Sequence, residues 1–374
     1  MKYKFKHFLV LGVSILTVLF FVACDSSGQL HQGQNNKEIK VQPKYAKYFA
    51  LYHEAKRTRV VIFNPWQSGK IMASFVLVKG KAGKGEIHIP LKNVAVFSAT
   101  QLSALDRLGL LNRITGISEA TYVKNKTVKK LLKQHKITEL AASGNYYVEK
   151  ILEHPPQAIF FSPYQSGQNL PPALSSIRAI PYLDFMESTP LGRAEWIKFT
   201  AAFFGKEKQA DSLFEHIEKE YLALKKLAEN TKERPTVFSD KYFNGQWYLP
   251  GGKSYVAQLF KDAGADYIWK NNPDKASFPL DFETVFARAR QADFWRIVGT
   301  YGSKASYKAL ADENELYTHF NAFRQHHIIY CNPDSTAYFE NSPLEPQFVL
   351  ADFIKAFHPE LLPEYEPHYY KILP

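Results

Sequence analysis

Apolar residues recur at three- and four-residue steps along residues 206–230, and charged residues fill the other positions. The apolar positions are Ala210, Leu213, Phe214, Ile217, Tyr221, Leu224 and Ala228. This spacing predicts an amphipathic helix, because residues three and four apart share one helical face. Such a helix reaches roughly 35 Å at 1.5 Å per residue. We interpret it as a strut between two lobes; an ordinary core helix of a single domain is the alternative.

Strand-like and helix-like patterns alternate on both sides of this segment. A buried strand is predicted at 94–97, followed by a helix at 101–108 that ends at Gly109, and further units follow as far as residue 204. Alternating strands and helices are typical of parallel sheets. The predicted fold class is therefore α/β, with two α/β lobes whose central sheets are mainly parallel, joined by one long helix. Shorter β-like runs at 58–63, 72–79 and 86–91 predict an additional small N-terminal β segment.

The pattern before the long helix recurs after it. The run at 236–239 resembles the run at 96–98, and the helix-like run ending at Gly264 resembles the one ending at Gly109. In addition, Glu149 and Glu283 each begin a short helical pattern that leads into a buried aromatic strand. Two matched halves would bring strand ends face to face across a groove, which is where open parallel sheets bind ligands.

The N-terminus carries a targeting pattern. Lys2, Lys4 and Lys6 precede an apolar run at 8–22, and Val22-Ala23-Cys24 follows. This pattern resembles a bacterial lipoprotein signal in which Cys24 is acylated, and a plain cleaved secretion signal is the alternative. The predicted organisation is a signal peptide at 1–23, a flexible tether at 24–40, a β segment at 41–92 packed on lobe 1, lobe 1 at 93–204, the connecting helix at 205–231 and lobe 2 at 232–374. The expected location is periplasm-facing and lipid-anchored to the cell membrane.

Charge and cysteine content exclude several classes of protein. The formal net charge is +11, but the basic residues are interspersed with acidic ones, so the sequence gives no support for nucleic-acid binding. The chain contains two cysteines. If Cys24 is acylated, Cys331 remains alone, and neither a disulfide nor a cysteine metal site can form.

Other short motifs do not predict catalysis or metal binding. Gly251-Gly252-Lys253-Ser254 lacks the earlier glycine of a phosphate loop, so we interpret it as a turn with Ser254 as helix cap. The adjacent His326 and His327 do not converge on one ion. No esterase elbow, zinc-protease motif or dinucleotide fingerprint is present. We therefore expect no catalytic residue, no metal ligand and no cofactor; a tethered hydrolase and an adhesion module remain alternatives.

Several of these features together resemble a known family. They are Cys24, the repeated α/β halves, the long connecting helix, the run from Trp247 to Tyr255 and the closing Phe357-His358-Pro359. Together they resemble the substrate-binding lipoproteins of ABC importers for iron-siderophore complexes and cobalamin. The resemblance is closest to the type found in Bacteroidetes. The resemblance implies a receptor that acts as a monomer, holds a large chelate between two lobes with little hinge motion, and delivers it to an ABC permease. It also implies that Glu149 and Glu283 dock onto that permease. A glutamate in a first helical turn also complements the helix dipole without any partner.

Candidate ligand-binding residues follow from the resemblance and from the positions of predicted loops. A chelate of this kind requires aromatic faces and a few polar or cationic groups. In loops that follow strands or flank these units we select Ser98, Thr100, Gln101, Tyr122, Tyr146, Tyr164, Lys241, Trp247, Tyr248, Tyr301, Arg324 and Tyr338. The predicted ligand is an iron-siderophore complex, with cobalamin or haem as alternatives.

Overall fold

The computed structural model describes residues 39–54, 56–301 and 305–374. The predicted signal peptide, the lipidation residue Cys24 and all but the end of the predicted tether lie outside the described residues. No helix in the described part of the chain is long and apolar enough to cross a membrane.

The N-terminal segment is a five-stranded sheet. Its strands are β1 (Ile39–Val41), β2 (Phe49–His53), β3 (Arg57–Phe63), β4 (Ile71–Lys79) and β5 (Ile87–Ile89), and they follow this order in the sheet. Neighbouring strands are antiparallel except β4 and β5, which are parallel. The three predicted strands are confirmed, whereas β1 and β2 were not predicted.

The first lobe contains a six-stranded sheet and five helices. These elements are β6 (Val94–Val96), α1 (Thr100–Arg107), β7 (Ile114–Ser118), α2 (Lys126–Lys133), β8 (Thr138–Ala142), β9 (Asn145–Tyr146), α3 (Val148–Glu153), β10 (Ala158–Phe161), β11 (Arg178–Pro181), α4 (Pro190–Ala194) and α5 (Trp196–Ala202). The sheet order is β11-β10-β6-β7-β8-β9, and every pair except β8 and β9 is parallel.

Buried carboxylates attach the N-terminal sheet to lobe 1. The Glu195 carboxylate accepts the backbone N–H groups of Lys44, Tyr45 and Ala46 at 2.7–2.9 Å. Glu187 likewise accepts from the backbone of Lys47, as well as from the Trp196 indole N–H. Such bonds satisfy backbone donors that would otherwise be buried without a partner.

The long helix α6 (Glu207–Glu229) is confirmed, and it ends one residue inside the apolar pattern at 206–230 on each side. Its buried residues are Ala210, Phe214, Ile217, Tyr221 and Ala228, all predicted from the apolar spacing. The helix contains neither glycine nor proline, which would weaken or kink it. It therefore forms a continuous connection between the two lobes.

The second lobe contains a five-stranded sheet and a smaller antiparallel sheet. Its elements are β12 (Thr236–Ser239), β13 (Tyr242–Phe243), β14 (Gln246–Pro250), α7 (Tyr255–Asp262), β15 (Asp266–Tyr267), β16 (Ser277–Leu280), α8 (Phe282–Ala289), β17 (Phe294–Val298), α9 (Tyr307–Glu313), α10 (Asn321–Arg324), β18 (Ile328–Cys331), α11 (Pro333–Thr336), α12 (Tyr338–Asn341), α13 (Pro346–Phe357) and β19 (Lys371–Ile372). The larger sheet has the order β15-β12-β17-β18-β19, with only β19 antiparallel, and the smaller has the order β13-β14-β16.

The two lobes share one internal strand order. Lobe 1 contains β7-β6-β10-β11 and lobe 2 contains β15-β12-β17-β18, all parallel within each set. In both lobes an eight-residue helix follows the first strand and ends at a glycine of positive φ, 70° at Gly109 and 80° at Gly264. The repeat predicted from the sequence thus corresponds to matched structural halves, and the predicted α/β fold class is confirmed.

The lobes also share packing. An apolar core of the described residues runs from Phe49 of the N-terminal sheet through Phe203 and Phe214 to Phe260 and Phe353 of lobe 2. A separate cluster, containing Ala95, Ile159 and Phe161, covers the other face of the first lobe's sheet. The described residues belong to one compact unit. The lobes are therefore held together by buried apolar contacts as well as by α6.

Candidate functional site

A cavity of about 580 Å³ lies between the two lobes at the carboxyl ends of their parallel strands. Lobe 1 contributes the ends of β6 and β7, and lobe 2 contributes Thr300 after β17 together with residues of α11, α12 and the turn between them. The lining residues are Val96, Phe97, Ser98, Ala99, Leu102, Ile117, Ser118, Glu119, Tyr122, Val123, Lys124, Thr300, Pro333, Asp334, Ala337, Phe339 and Glu340. In open α/β sheets, ligands bind at this edge.

Two exposed aromatic rings, one from each lobe, line the cavity. Tyr122 is 66% exposed and Phe339 is 55% exposed. Large apolar side chains in such exposed positions mark surfaces that bind a partner or a ligand, because binding removes their apolar surface from water. The cavity therefore offers aromatic faces from both lobes to a ligand of drug-like or larger size.

The charged groups that line the cavity are mainly acidic. Three carboxylates, Glu119, Asp334 and Glu340, accompany the single ammonium group of Lys124. Lys124 Nζ lies 2.7 Å from an Asp334 carboxylate oxygen, and its backbone N–H donates to Glu340. The hydrogen bond from Lys124 holds the pKa of Asp334 below its usual range, whereas burial raises the pKa of Glu340.

Two non-glycine residues on the wall of the cavity have left-handed backbone conformations. These are Glu119, with φ of 52°, and Ala337, with φ of 53°. The Glu119 conformation is supported by a hydrogen bond from the backbone N–H of Ser143 to its carboxylate at 2.5 Å. Strained backbone of this kind costs energy and is concentrated at binding sites. Backbone strain therefore occurs on both walls of this cavity, as expected for a binding site.

Three of the predicted ligand residues lie in or beside the cavity. Ser98 and Tyr122 line it. Thr100 lies two residues after Ser98, at the start of α1, with its hydroxyl 3.0 Å from Ser98 Oγ. All three residues lie just after β6 or β7. The loops that follow these two strands, from which they were predicted, are therefore located at the cavity.

Gln101 is a correction, because it is only 2% exposed and does not line the cavity. Its side-chain amide donates to Ser162 Oγ at 3.3 Å, and its carbonyl oxygen accepts the Phe97 backbone N–H at 3.1 Å. Both hydrogen-bonding ends are thus used within lobe 1. Gln101 supports the loop after β6 and is too deeply buried to contact a ligand in the cavity.

Two further predicted tyrosines of lobe 1 lie outside the cavity. The Tyr146 ring packs against Phe97, a lining residue, with 5.5 Å between centroids, and burial raises the pKa of Tyr146. Tyr164 is 73% exposed after β10. Tyr146 is therefore one side chain removed from the cavity, and a role for Tyr164 stays a prediction.

In lobe 2, Lys241 and Tyr301 form a cluster with Glu313, and none of the three lines the cavity. Lys241 Nζ lies 2.8 Å from Tyr301 Oη and 2.5 Å from a Glu313 oxygen, and Tyr301 Oη donates to Glu313 at 3.0 Å. Burial raises the pKa of Tyr301. The Lys241 charge is neutralised within the cluster, so its predicted pull on an anionic ligand stays a prediction. Tyr248, 47% exposed on β14, likewise lies outside the cavity.

Trp247 is a clear correction to the sequence prediction. It is fully buried, and its indole N–H donates to the Ser239 carbonyl oxygen at 2.8 Å. Its ring packs among Phe238, Phe282, Trp295, Tyr317 and Phe320. Because side chains alternate along β14, Trp247 faces the core and Tyr248 faces outward. Trp247 is a core residue of lobe 2 with no access to the cavity.

Arg324 and Tyr338 are also corrected. Arg324 ends α10 just before β18, so it lies at the opposite edge of the sheet from the carboxyl strand ends. Tyr338 is 4% exposed and packs against Tyr369 and Tyr370. The adjacent residue, Phe339, lines the cavity instead. The prediction identified the correct turn but the wrong one of two neighbouring aromatic residues.

The predicted permease-docking residues occupy equivalent positions in the two halves. Glu149 is exposed in the first turn of α3, and Glu283 is exposed in the first turn of α8. Each helix leads into the strand that pairs with the first strand of its lobe, β10 with β6 and β17 with β12. The structure thus presents one glutamate from each lobe to solvent, and docking remains a prediction.

Sequence reasoning missed the charged lining of the cavity. Glu119, Lys124, Asp334 and Glu340 were not selected, although Glu119 directly follows β7 and Asp334 lies close after β18. Their positions at strand ends were the available signal. Within the described residues, no group of three or more histidine, cysteine, aspartate or glutamate side chains could hold a metal ion. Cys331 is free and buried, and burial raises its pKa to about 11.

The fold and the inter-lobe site together are those of a two-lobed binding protein. Residues 94–335 match the family model described as Periplasmic binding protein, and the chain belongs to that family. It is similar to two uncharacterized lipoproteins of Methanocaldococcus jannaschii. The first is 29% identical, over 98% of this chain and 96% of the relative. The second is 26% identical, over 98% of this chain and 99% of the relative.

Solved structures of similar fold come from several bacteria. A TroA-like periplasmic binding protein of Veillonella parvula has a TM-score of 0.57 at 16% identity and covers 78% of this chain and 98% of its own. A protein of an ABC-type Fe³⁺-hydroxamate transport system from Saccharomonospora viridis has a TM-score of 0.56 at 16% identity, over 72% and 94%. A Staphylococcus aureus protein complexed with haem has a TM-score of 0.54 at 15% identity, over 71% and 98%. These similarities establish the fold, and the Bacteroidetes type stays a prediction.

Proposed function

We propose that the protein captures an iron-siderophore-type chelate in the cavity between its lobes and delivers it to an ABC permease. The observation that carries this proposal is the pair of exposed rings, Tyr122 and Phe339, that face one cavity from opposite lobes. Proteins of the same fold are described as part of an Fe³⁺-hydroxamate transport system and as a haem complex. Membership of a binding-protein family favours this function over the hydrolase and adhesion alternatives.

The proposal includes attachment to the membrane and to the permease. The similarity to two archaeal lipoproteins over nearly the whole chain supports acylation at Cys24. The exposed and equivalent positions of Glu149 and Glu283 support docking of one glutamate from each lobe onto the permease. In this proposal the protein acts as a monomer that faces the periplasm.

The charges that line the cavity favour a neutral or cationic chelate. Three carboxylates and one ammonium group give an excess of negative charge. A ferric tricatecholate carries three negative charges, whereas a ferric trihydroxamate is neutral in its iron core. Like charges in a partly desolvated site are repelled. We therefore infer that the protein prefers ferric trihydroxamates to ferric tricatecholates.

Haem is the second candidate. Tyr122 presents an exposed phenol at the cavity, and a tyrosine can serve as an axial ligand to haem iron. Cobalamin has the size and ring faces for the same site but no lining residue of this structure favours it specifically.

Native mass spectrometry of the Cys24→Ser chain tests these possibilities against a ferric trihydroxamate, a ferric tricatecholate, haem and cobalamin. We expect a 1:1 complex with the trihydroxamate. Tyr122→Ala and Phe339→Ala should each weaken it by about tenfold or more, because an aromatic contact contributes on the order of 1 kcal/mol beyond its buried area. Phe243→Ala, which removes another exposed aromatic ring outside the cavity, is the matched control. Absence of all four complexes would contradict the proposed function.

A further inference from the structure

A second cavity, of about 930 Å³, lies on another part of the molecule and shares no lining residue with the inter-lobe cavity. We call it the basic groove. It is bordered by Lys47 in the loop before β2, Thr189 before α4, the end of α6 and one face of α7. Seven lysine or arginine residues and three acidic residues line it. The excess of positive charge is therefore four, the opposite of the inter-lobe cavity.

Part of this charge is neutralised within the groove. Lys225 Nζ lies 3.2 Å from an Asp262 oxygen, and Lys270 Nζ lies 2.7 Å from an Asp266 oxygen. Arg234 also reaches Asp266, at 3.6 Å. Both aspartates are thus engaged by cations and cannot compensate the remaining lysines.

Four lysines of the groove carry charge that no carboxylate compensates. Within the described residues, no carboxylate oxygen lies within ion-pair distance of the ammonium groups of Lys47, Lys253, Lys261 and Lys275. Lys275 Nζ is directed to the Tyr48 hydroxyl at 2.9 Å, a neutral partner. Among the described residues, Glu229 is the acidic lining residue that pairs with no cation of the groove, so most of the positive charge faces solvent in the cavity.

The Gly251–Ser254 turn at one wall does not itself form a phosphate loop. The backbone N–H of Gly251 donates to the Ala276 carbonyl at 3.0 Å, and that of Lys253 to the Asp274 carbonyl at 2.9 Å. A Cβ at position 251 would lie 2.2 Å from the Asp274 carbonyl oxygen, which explains the glycine by packing. The Ser254 side chain caps α7, as predicted. Anion binding in the groove would therefore depend on the ammonium groups of the lysines.

We propose that the basic groove is a second binding site, for a polyanion whose charges are phosphate groups. Lysine ammonium groups are compact point charges that bind phosphate oxygens well. Four uncompensated cations around one cavity match several phosphates better than a single anion. The phosphates belong either to a soluble oligophosphate or to the headgroups of anionic phospholipids. Because the inter-lobe cavity is acidic and separate, chelate and polyanion bind independently.

Calorimetric titration with tripolyphosphate and co-sedimentation with phosphatidylglycerol vesicles distinguish the two sources, with phosphatidylcholine vesicles as the neutral reference. All use the Cys24→Ser chain. The groove variant is Lys47→Gln, Lys253→Gln and Lys261→Gln. The matched control is Lys84→Gln, Lys133→Gln and Lys208→Gln, which removes the same charge from exposed lysines outside the groove. Thermal unfolding verifies that both variants fold.

We expect at least one phosphate-bearing probe to bind the unmutated chain. Its affinity should fall tenfold or more in the groove variant, because each lysine contributes strongly to anion binding at a surface. In the control variant the affinity should change by less than about twofold. Binding of tripolyphosphate identifies a soluble ligand, and binding of phosphatidylglycerol vesicles alone identifies lipid headgroups. Equal loss in both variants, or no binding of either probe by the unmutated chain, would overturn the proposal. Chelate binding should be the same in all three proteins.

Discussion

Lys124 of the first lobe and Asp334 of the second form an ion pair of 2.7 Å at the cavity between them. A second pair, Arg107 with Glu345, joins the lobes at another position. Together with the unbroken helix α6 and the shared apolar core, these contacts restrict relative motion of the lobes. We therefore predict that the protein captures its ligand with little domain closure.

The first prediction concerns this motion. Spin labels at Lys133 in lobe 1 and Lys308 in lobe 2, both exposed, should report a mean distance that changes by less than about 2 Å on chelate binding, since rigid complexes rearrange little. In Lys124→Ala the ligand-free distance distribution should broaden, because the cross-lobe pair is lost. A shift of many ångströms in the unmutated protein would show that α6 does not act as a strut.

The core position of Trp247 predicts a loss of stability. Trp247→Ala should lower the free energy of unfolding by about 3–5 kcal/mol, since it removes a fully buried aromatic ring. Tyr248→Ala changes the next residue of β14, which is 47% exposed, and should cost less than about 1 kcal/mol. Chemical denaturation followed by far-UV circular dichroism measures both. Equal destabilisation by the two substitutions would contradict the burial of Trp247.

Glu187 predicts a pH dependence of stability. Burial raises the pKa of Glu187 from 4.5 to about 7. Because the folded state then holds the proton more tightly, the contribution of Glu187 to stability is fully present below pH 4.5 and declines as the pH rises toward 7. The decline amounts to about 3 kcal/mol at most. Hydrogen bonds from Trp196 and Lys47 favour the charged carboxylate and act in the opposite direction, but burial has the larger effect on the pKa.

Denaturation of Glu187→Gln and the unmutated protein between pH 4 and pH 8 tests this prediction. Relative to the unmutated protein, the variant should gain stability as the pH rises through this window. Glu215→Gln, on the exposed face of α6, provides a control that should show no such trend. A constant difference between Glu187→Gln and the unmutated protein at every pH would show that Glu187 does not titrate in this range.

The exposed glutamates predict a separation of binding from transport. Glu149→Ala together with Glu283→Ala should abolish uptake of the chelate in cells while its affinity for the soluble protein stays within about twofold, because neither side chain lines the cavity. Glu153→Ala together with Glu315→Ala removes two other exposed carboxylates and should leave uptake intact. Unchanged uptake in the first double variant would refute docking through these residues.

The elements of the fold were predictable where their periodicity was strong. The seven apolar positions of α6 and the glycines that end α1 and α7 gave the connecting helix and the repeat. The alternation on β14 also predicts which aromatic residue is buried. Trp247 lies two residues from the buried Leu249, so both side chains are on the core face of the strand, whereas Tyr248 is on the other face. By contrast, β1 has no buried residue and only three positions, too few to establish a period.

The cavity was less predictable because its lobe 2 wall depends on backbone conformations that no glycine marks. Ala337 is left-handed between α11 and α12, and this turn decides that Phe339 lines the cavity while Tyr338 enters the core. The predicted ligand role of Arg324 was wrong for a different reason. Its short helix α10 precedes β18, and only the direction of that strand shows which edge of the sheet Arg324 occupies. Tertiary arrangement, not local pattern, determined both outcomes.

The most direct test of the central claim is an anomalous difference map at the iron absorption edge, from crystals of the Cys24→Ser chain grown with a ferric trihydroxamate. We expect one iron peak in the inter-lobe cavity, between Tyr122 of the first lobe and Phe339 of the second. An iron peak confined to any other surface, such as the basic groove, or a fully bound chelate that leaves both rings exposed, would contradict the proposed site.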